Sequence, residues 1–449
     1  MPANDNRLEL LDQAFFDSHH AASQHEVMQV VYIYADGIDL DAVRRFHHHL
    51  SRGLMGRLIE RSPLPFGRHR WVLDPHPPDI DVAERPRARS EVGDWADERS
   101  QLPIDPESGP GWRLSVLEMT DGSAAVSLVI SHYVLDGIGA VIAVIEAILG
   151  LARDLGYPLP RSRTTPQAVA EDAAQTVRDM PALARAVISG AREGWRRRKD
   201  DSRTARKRLP AEPSGRRDFI VLPAVTMWVD ADAWNGRAAE LGGTGNTLAA
   251  GFTAKLAERM GRPLGGDGTL AVEVIVNRRS ENDTRAVAVS FARARIDPAV
   301  VTTDLSAARA SIKKALTDLE GAPDQSAQMA PLAPFTPQRA WKRLVDWALE
   351  DPDQPVVCSN LGDVGEVVTR VDGTQPAYIY ARGTIQGVTR QWLERIGGHL
   401  RVLIFSAPAL NKICIHMLAY QPGVLTTKDE LRALASSTLA EFGLTATVD

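Results

Sequence analysis

Hydrophobic and polar positions alternate most regularly over Ala124-Ala-Val-Ser-Leu-Val-Ile-Ser-His132. Val126, Leu128, Ile130 and His132 fall on one side of a strand and Ala125, Ser127, Val129 and Ser131 on the other, so a buried strand presents one imidazole at the end of an apolar face. Asp136-Gly137 breaks that strand, and residues 138–151, apolar on nearly every side, predict a helix packed on a sheet. Upstream, 27–34 reads as a strand, Asp39 as an N-cap, and Leu40, Val43, Phe46, Leu50, Leu54 and Leu58 as one helical face. Residues 67–73 predict a second strand and 94–99 a short helix, and Asp121-Gly122 the hairpin that leads into the histidine strand. In the second half, 219–229, 270–277, 378–380, 400–406 and 411–420 read as strands and 231–241 and 245–260 as helices. Thr427-Lys-Asp-Glu430 is a capping box for a closing helix through Phe442.

The chain of 449 residues is long for one core and suits two domains of about 200 residues each. With 44% hydrophobic and 24% charged residues it reads as an ordinary globular protein, and a net charge of −5 carries no electrostatic signature of nucleic-acid binding. No apolar run is long enough to span a membrane, and the start, Met1-Pro-Ala-Asn-Asp-Asn, lacks the basic and apolar regions of a signal peptide; a cytoplasmic location is expected. Cys358 and Cys414 sit in apolar, strand-like runs and read as buried thiols. His47-His48-His49 point about 100° apart on a helix and cannot converge on one ion, so they read as solvated surface. His19 and His20 meet the same objection, and no metal is expected. Between Arg196 and Arg217 stand ten basic residues against three acidic ones, following a helical stretch at 166–194. Such a run reads as a solvated crossover between domains; the sharper reading is a docking face for an anionic donor or for membrane phosphates. The expected division is 1–160, a crossover over 161–217, and 218–449.

A histidine at the C-terminal end of a strand, with Asp136 four residues on and Gly137 beside it, suits general-base chemistry, because neutral imidazole accepts a proton near pH 7. A lone histidine at a strand end is more often structural, so the surrounding string has to decide. Ser131-His132-Tyr-Val-Leu-Asp136-Gly137 resembles the His-x-x-x-Asp-Gly core of the chloramphenicol-acetyltransferase-like superfamily. That superfamily includes the plant BAHD acyltransferases, peptide-synthetase condensation domains, polyketide-associated acyltransferases and bacterial wax ester synthase/diacylglycerol acyltransferases. In the last three groups a second histidine usually opens the motif, where this chain has Ser131, which by strand register points away from His132. Leu11-Asp12-Gln-Ala-Phe15, Pro110-Gly111-Trp112-Arg113, Gly215-Arg216-Arg217, Gly245-Asn246-Thr247-Leu248 and Ser359-Asn360-Leu361-Gly362 resemble further segments of these proteins, in the same order along the chain.

The resemblance implies two similar α/β lobes, each a mixed sheet with flanking helices, and a channel between them with His132 near its middle. Arg278, at the end of an apolar strand, needs a partner. The resemblance assigns it to Asp136, with the adjacent Arg279 as the alternative; Asp136 then holds the loop that presents His132. Ser359 and Asn360 become donors to an oxyanion, and Ser131 and Asn246 substrate contacts. The implied activity is acyl transfer from a thioester, carried by coenzyme A or by phosphopantetheine on a carrier protein, to a small hydroxyl or amine acceptor. No tightly bound cofactor is expected. A carrier protein is an implied partner, and contact with a membrane surface is compatible with the chain. The rival readings are a non-catalytic docking module for carrier proteins and a relative turned to cyclisation or epimerisation on the same scaffold.

Overall fold

The computed structural model describes residues 6–22, 24–151, 153–200, 218–280, 282–321, 328–349 and 354–448. The chain begins with α1 (Leu10–Ala22) and β1 (His25–Tyr34), and Asp39 then caps α2 (Leu40–Leu50) by accepting from the amides of Asp41 and Ala42. The helical spacing continues to Leu58 in the sequence, but the helix stops at Leu50. Gly53 turns the backbone at φ 65°, and Leu58 enters β2 (Arg57–Glu60), which pairs with β3 (Arg70–Leu73) as a separate ribbon. Then come β4 (Asp81–Val82), α3 (Val92–Ser100), β5 (Trp112–Glu118) and β6 (Ala124–Ser131), followed by α4 (Gly137–Ile148) and α5 (Thr165–Asp200).

The second half starts with β7 (Ala224–Asp230), later than 219 because Pro223 has no amide to donate to a ladder; Phe219 makes only an isolated bridge with Thr389. It continues through α6 (Ala231–Glu240), α7 (Gly245–Arg259), β8 (Leu270–Asn277), β9 (Val289–Ile296) and α8 (Ser306–Gly321). The remaining strands are β10 (Val356–Asp363), β11 (Tyr378–Gln386), β12 (His399–Ala407), β13 (Lys412–Tyr420) and β14 (Thr447–Val448). The closing helix, Lys428–Glu441, begins on the capping box of Thr427 and Glu430.

Among the described residues the strands form two large mixed sheets, ordered β11-β1-β6-β5-β4 and β14-β7-β13-β12-β10-β8-β9. β6 lies inside the first sheet with every residue buried, as its uninterrupted small and apolar composition requires. β8, β10 and β12 run parallel in the second sheet, and their neighbours pair antiparallel. One strand crosses the division expected from the sequence. β11 belongs to the second half of the chain but pairs antiparallel with β1, in register from His25 with Gln386 to Ile33 with Tyr378.

Both cysteines are buried thiols, and burial pushes Cys358 up to about 11. The triple histidine is not a solvated patch: His47 donates to the carbonyl of Pro78 at 2.7 Å and His49 to that of Ala147 at 3.0 Å, both half-buried, and only His48 is exposed. The basic residues from Arg203 to Arg217, and with them Gly215-Arg216-Arg217, lie outside the described residues.

Candidate active site

Strand alternation builds a cavity of about 380 Å³ between the two sheets. Met28, Val30 and Tyr32 of β1 face it from the first sheet, and Ile275, Leu403 and Phe405 from the second. α1 supplies Leu11, Phe15 and His19, spaced four apart on one helical face.

His132 lines this cavity, although β6 ends one residue earlier. Its amide donates to the carbonyl of Glu26 at 3.0 Å, and the ring centroid lies 5.4 Å from that of Phe15. Among the described residues Nδ1 is buried with no hydrogen-bond partner, which leaves Nε2 as the nitrogen open to the cavity. Other groups fix the turn that carries the ring. Tyr133 Oη donates to the carbonyl of Gln24 at 3.0 Å and accepts from the amide of Glu26 at 3.1 Å. The fully buried Arg57 donates to the carbonyls of Val134 and Thr284 and to Tyr157 Oη, with its guanidinium 3.8 Å from the centre of the Trp71 ring.

Asp136 is the N-cap of α4 and makes no hydrogen bond to His132. One oxygen accepts from the amide of Gly139 at 2.7 Å; the other accepts from the amide of Ala288 at 2.8 Å and from Arg279 Nη2 at 2.8 Å. The partner is therefore Arg279, and the expected pairing through Arg278 is corrected. Arg278 continues the face of Val272, Val274 and Val276, which is opposite to the cavity face of Ile275 and Asn277; it is exposed, with Nε 3.4 Å from Ser290 Oγ. The Arg279 and Asp136 side chains are 1% and 4% exposed, and Arg279 also donates to the carbonyls of Asp283, Arg285 and Ala286. Gly137 opens α4 where space is short: a Cβ there would stand 2.9 Å from Leu361 Cδ2, across the interface between the lobes.

Of the residues expected at the oxyanion, Ser359 lines the cavity and makes no hydrogen bond among the described residues, so its hydroxyl is open to a guest. Asn360 also lines it, but its amide is engaged, donating to Asn246 Oδ1 at 2.6 Å and accepting from the amide of Gly362 at 2.8 Å. Asn246 does not line the cavity and braces Asn360 instead. Ser131 is buried against Val27 of β1, outside the lining, where its hydroxyl meets the amide of Tyr133 at 3.4 Å. The two expected substrate contacts are thus structural in place.

The cavity also holds charged groups that the sequence reading passed over. Glu26 Oε1 accepts from Arg401 Nη2 at 2.6 Å and stands 3.1 Å from His19 Nε2. Burial opposes charge on Glu26, yet Arg401 and His19 hold its carboxyl well below the usual range. Burial also opposes charge on His19, but Glu26 more than offsets it and raises the imidazole above its usual value. Glu273 lines the cavity as well, and burial raises its carboxyl. A signal for these groups was present: Glu26, Glu273 and Arg401 each interrupt an apolar strand face, as His19 continues the face of Leu11 and Phe15. Asp12, inside the Leu11-to-Phe15 string, points elsewhere and accepts from the amides of Ala286 at 3.0 Å and Val287 at 2.8 Å. It and Asp136 clamp one short strip of backbone.

No family model matches the chain. Over 144 residues it is 38% identical to a Mycobacterium tuberculosis (strain H37Rv) protein named putative diacylglycerol O-acyltransferase, and the match takes in 30% of this chain and 28% of that relative. The chain thus spans less than a third of the length of the curated relative it matches. Solved structures extend the likeness over nearly all of it. The wax ester synthase/diacylglycerol acyltransferase of Marinobacter aquaeolei VT8 superposes with TM-score 0.53 at 15% identity, covering 98% of this chain and 100% of that one. The trichothecene 15-O-acetyltransferase of Fusarium sporotrichioides gives TM-score 0.58 at 11% identity, over 97% and 94%. The first condensation domain of the CDA synthetase gives 0.55 at 12%, over 99% and 100%. At these identities the likeness is one of architecture. The protein has the two-lobed fold shared by condensation domains and chloramphenicol-acetyltransferase-like acyltransferases.

Proposed function

We propose that the protein is an acyltransferase that moves an acyl group from a thioester, carried by coenzyme A or by a carrier protein, to a hydroxyl or amine, with His132 as general base. The observation that carries this reading is the placement of His132 Nε2, open to an otherwise mostly apolar cavity in which the Ser359 hydroxyl is unengaged. An alcohol is too weak an acid to be deprotonated by imidazole beforehand, so Nε2 takes the proton as the oxygen attacks the thioester carbonyl. This requires the hydrogen of neutral His132 to sit on Nδ1. The carbonyl oxygen becomes an oxyanion, to which Ser359 donates. The intermediate collapses by breaking the carbon–sulfur bond, and the thiolate leaves with the proton returned by the imidazolium. Asp136 and Arg279 act by holding the turn that presents the ring.

The test is thiol release from acyl-coenzyme A and loaded carrier proteins with mixed alcohol and amine acceptors, with product identified by mass spectrometry. His132→Ala should lower turnover by about 10²–10⁴-fold while the protein stays folded. A fully active His132→Ala protein refutes the mechanism.

A further inference from the structure

Helix α5 carries its apolar face on the outside. At about 100° per residue, Val169, Val177, Met180, Ala184, Val187 and Ile188 fall within an arc of about 140°, and from Pro166 to Ile188 every residue in that arc is apolar and exposed. Val177 is 70% exposed. The packed side lies opposite, where Ala168, Asp172 and Ala186 are buried. A surface helix ordinarily turns its apolar stripe to the core and its polar side to water, and α5 does the reverse. The strip runs for about 33 Å, too continuous to be a scatter of single surface side chains.

The charges along the helix indicate what covers the strip. Its acidic groups are satisfied inside the protein: Glu171 pairs with Arg163 at 3.0 Å, Asp172 with Arg7 at 2.7 Å and with Arg163 at 2.9 Å, and Asp179 with Arg68 at 3.6 Å. Arg178 and Arg185 stand exposed at one border of the arc and make no ion pair among the described residues. Their hydrogen bonds stay within the helix, from Arg178 Nη1 to Gln175 Oε1 at 3.4 Å and from Arg185 Nε to the carbonyl of Pro181 at 3.3 Å. In sequence the chain then carries its ten basic residues against three acidic ones between Arg196 and Arg217, although its net charge is −5. An apolar strip edged by unpaired cations matches a surface that is apolar inside and anionic at its rim, which describes a bilayer containing anionic lipid.

A second copy of the chain is the rival occupant. A two-stranded coiled coil needs only a narrow seam and opposite charges that pair across it. Here the apolar arc is wider than a seam, and the acidic groups that could answer Arg178 and Arg185 are already held by Arg7, Arg68 and Arg163. No helix among the described residues is long and apolar enough to cross a membrane, so α5 lies along a bilayer rather than through it. We infer that the outer face of α5 is a docking surface for a membrane containing anionic lipid, with Val177, Met180, Val187 and Ile188 entering the acyl boundary and Arg178 and Arg185 meeting headgroup phosphates. Docking there brings the cavity close to lipid: the short helix Ala330–Phe335 packs against both α5 and α1, and α1 supplies Leu11, Phe15 and His19 to the cavity wall.

The experiment is co-sedimentation of the full chain with vesicles of phosphatidylcholine alone and of equimolar phosphatidylcholine and phosphatidylglycerol. Wild type should bind the mixed vesicles about tenfold or more tighter than the neutral ones, and added salt should shrink that margin. Val177→Asp with Val187→Asp should weaken binding to the mixed vesicles about tenfold or more, with the unfolding midpoint unchanged because both side chains are exposed. Val177→Leu with Val187→Leu, which keeps the face apolar and enlarges it, should bind severalfold tighter than wild type. Wild type that stays in the supernatant, an aspartate variant that binds undiminished, or a leucine variant that binds no tighter overturns the proposal. A wild-type dimer that the aspartate pair converts to monomer, with no vesicle binding, also overturns it and assigns the strip to a second copy. Binding is read without turnover, so the result stands apart from the acyl-transfer reading.

Discussion

Replacing Asp136 by alanine tests whether the motif aspartate is structural, and the structure supplies the size of the effect. The carboxylate accepts two backbone amides and one guanidinium, and its Arg279 partner is 1% exposed. Removing it leaves a buried cation without a counterion, a loss of about 3–5 kcal/mol. Loss of the α4 N-cap contributes about 1 kcal/mol more. The two overlap because one carboxylate serves both, so Asp136→Ala should cost about 4 kcal/mol in total. Removing the cation as well, in Asp136→Ala with Arg279→Met, should be milder than the single change by about 2 kcal/mol. His132→Ala, a half-buried ring without a protein hydrogen bond, should cost less than about 1 kcal/mol. Urea unfolding followed by tryptophan fluorescence measures all three. A stability of Asp136→Ala within about 1 kcal/mol of wild type, or a double variant no milder than the single one, would refute the argument that this aspartate holds a buried charge.

Two further outcomes follow from neighbouring groups. Burial pushes the Asp12 carboxyl up to about 6, above its value of about 3.9 in the unfolded chain, so its contribution to stability is full below pH 4 and declines as pH rises through 6. Unfolding of wild type and Asp12→Asn compared at pH 4 and pH 7 should show a pH-dependent difference of up to about 3 kcal/mol, and parallel profiles would contradict the shift. Arg57→Met removes donors to Val134, Thr284 and Tyr157, and should cost about 2–4 kcal/mol and speed amide hydrogen exchange in the turn over 132–136; unchanged exchange there would show that Arg57 does not hold the turn.

What was legible in the sequence depended on locality. The strand ending beside His132, the Asp39 cap, β8 and the Thr427 capping box follow from residues a few positions apart, and the structure has all of them. Helix α2 was overextended because apolar spacing alone does not register a glycine with positive φ. The choice between Arg278 and Arg279 turned on where β8 ends and which face turns inward, and tertiary packing decides that. The charged floor of the cavity was missed for another reason. His19 and Glu26 lie on consecutive elements, but Glu273 and Arg401 come from strands in the second half of the chain, and each alone looks like an ordinary polar residue. The rule that a charge on an apolar strand face needs a partner singles out Glu26, Glu273 and Arg401 as readily as Arg278.

The crossing strand β11 constrains how anything reaches His132. Along β1 the lobes share a ladder of backbone hydrogen bonds, and elsewhere the strip at 286–288, from the second half of the chain, is bound to Asp12 and Asp136 in the first. Lobes tied by a strand ladder and by two carboxylates gripping one backbone strip do not swing apart like jaws. The molecule is a sleeve, and whatever enters it is threaded: the girth of the cavity, rather than a swing of one lobe against the other, limits what can lie beside His132.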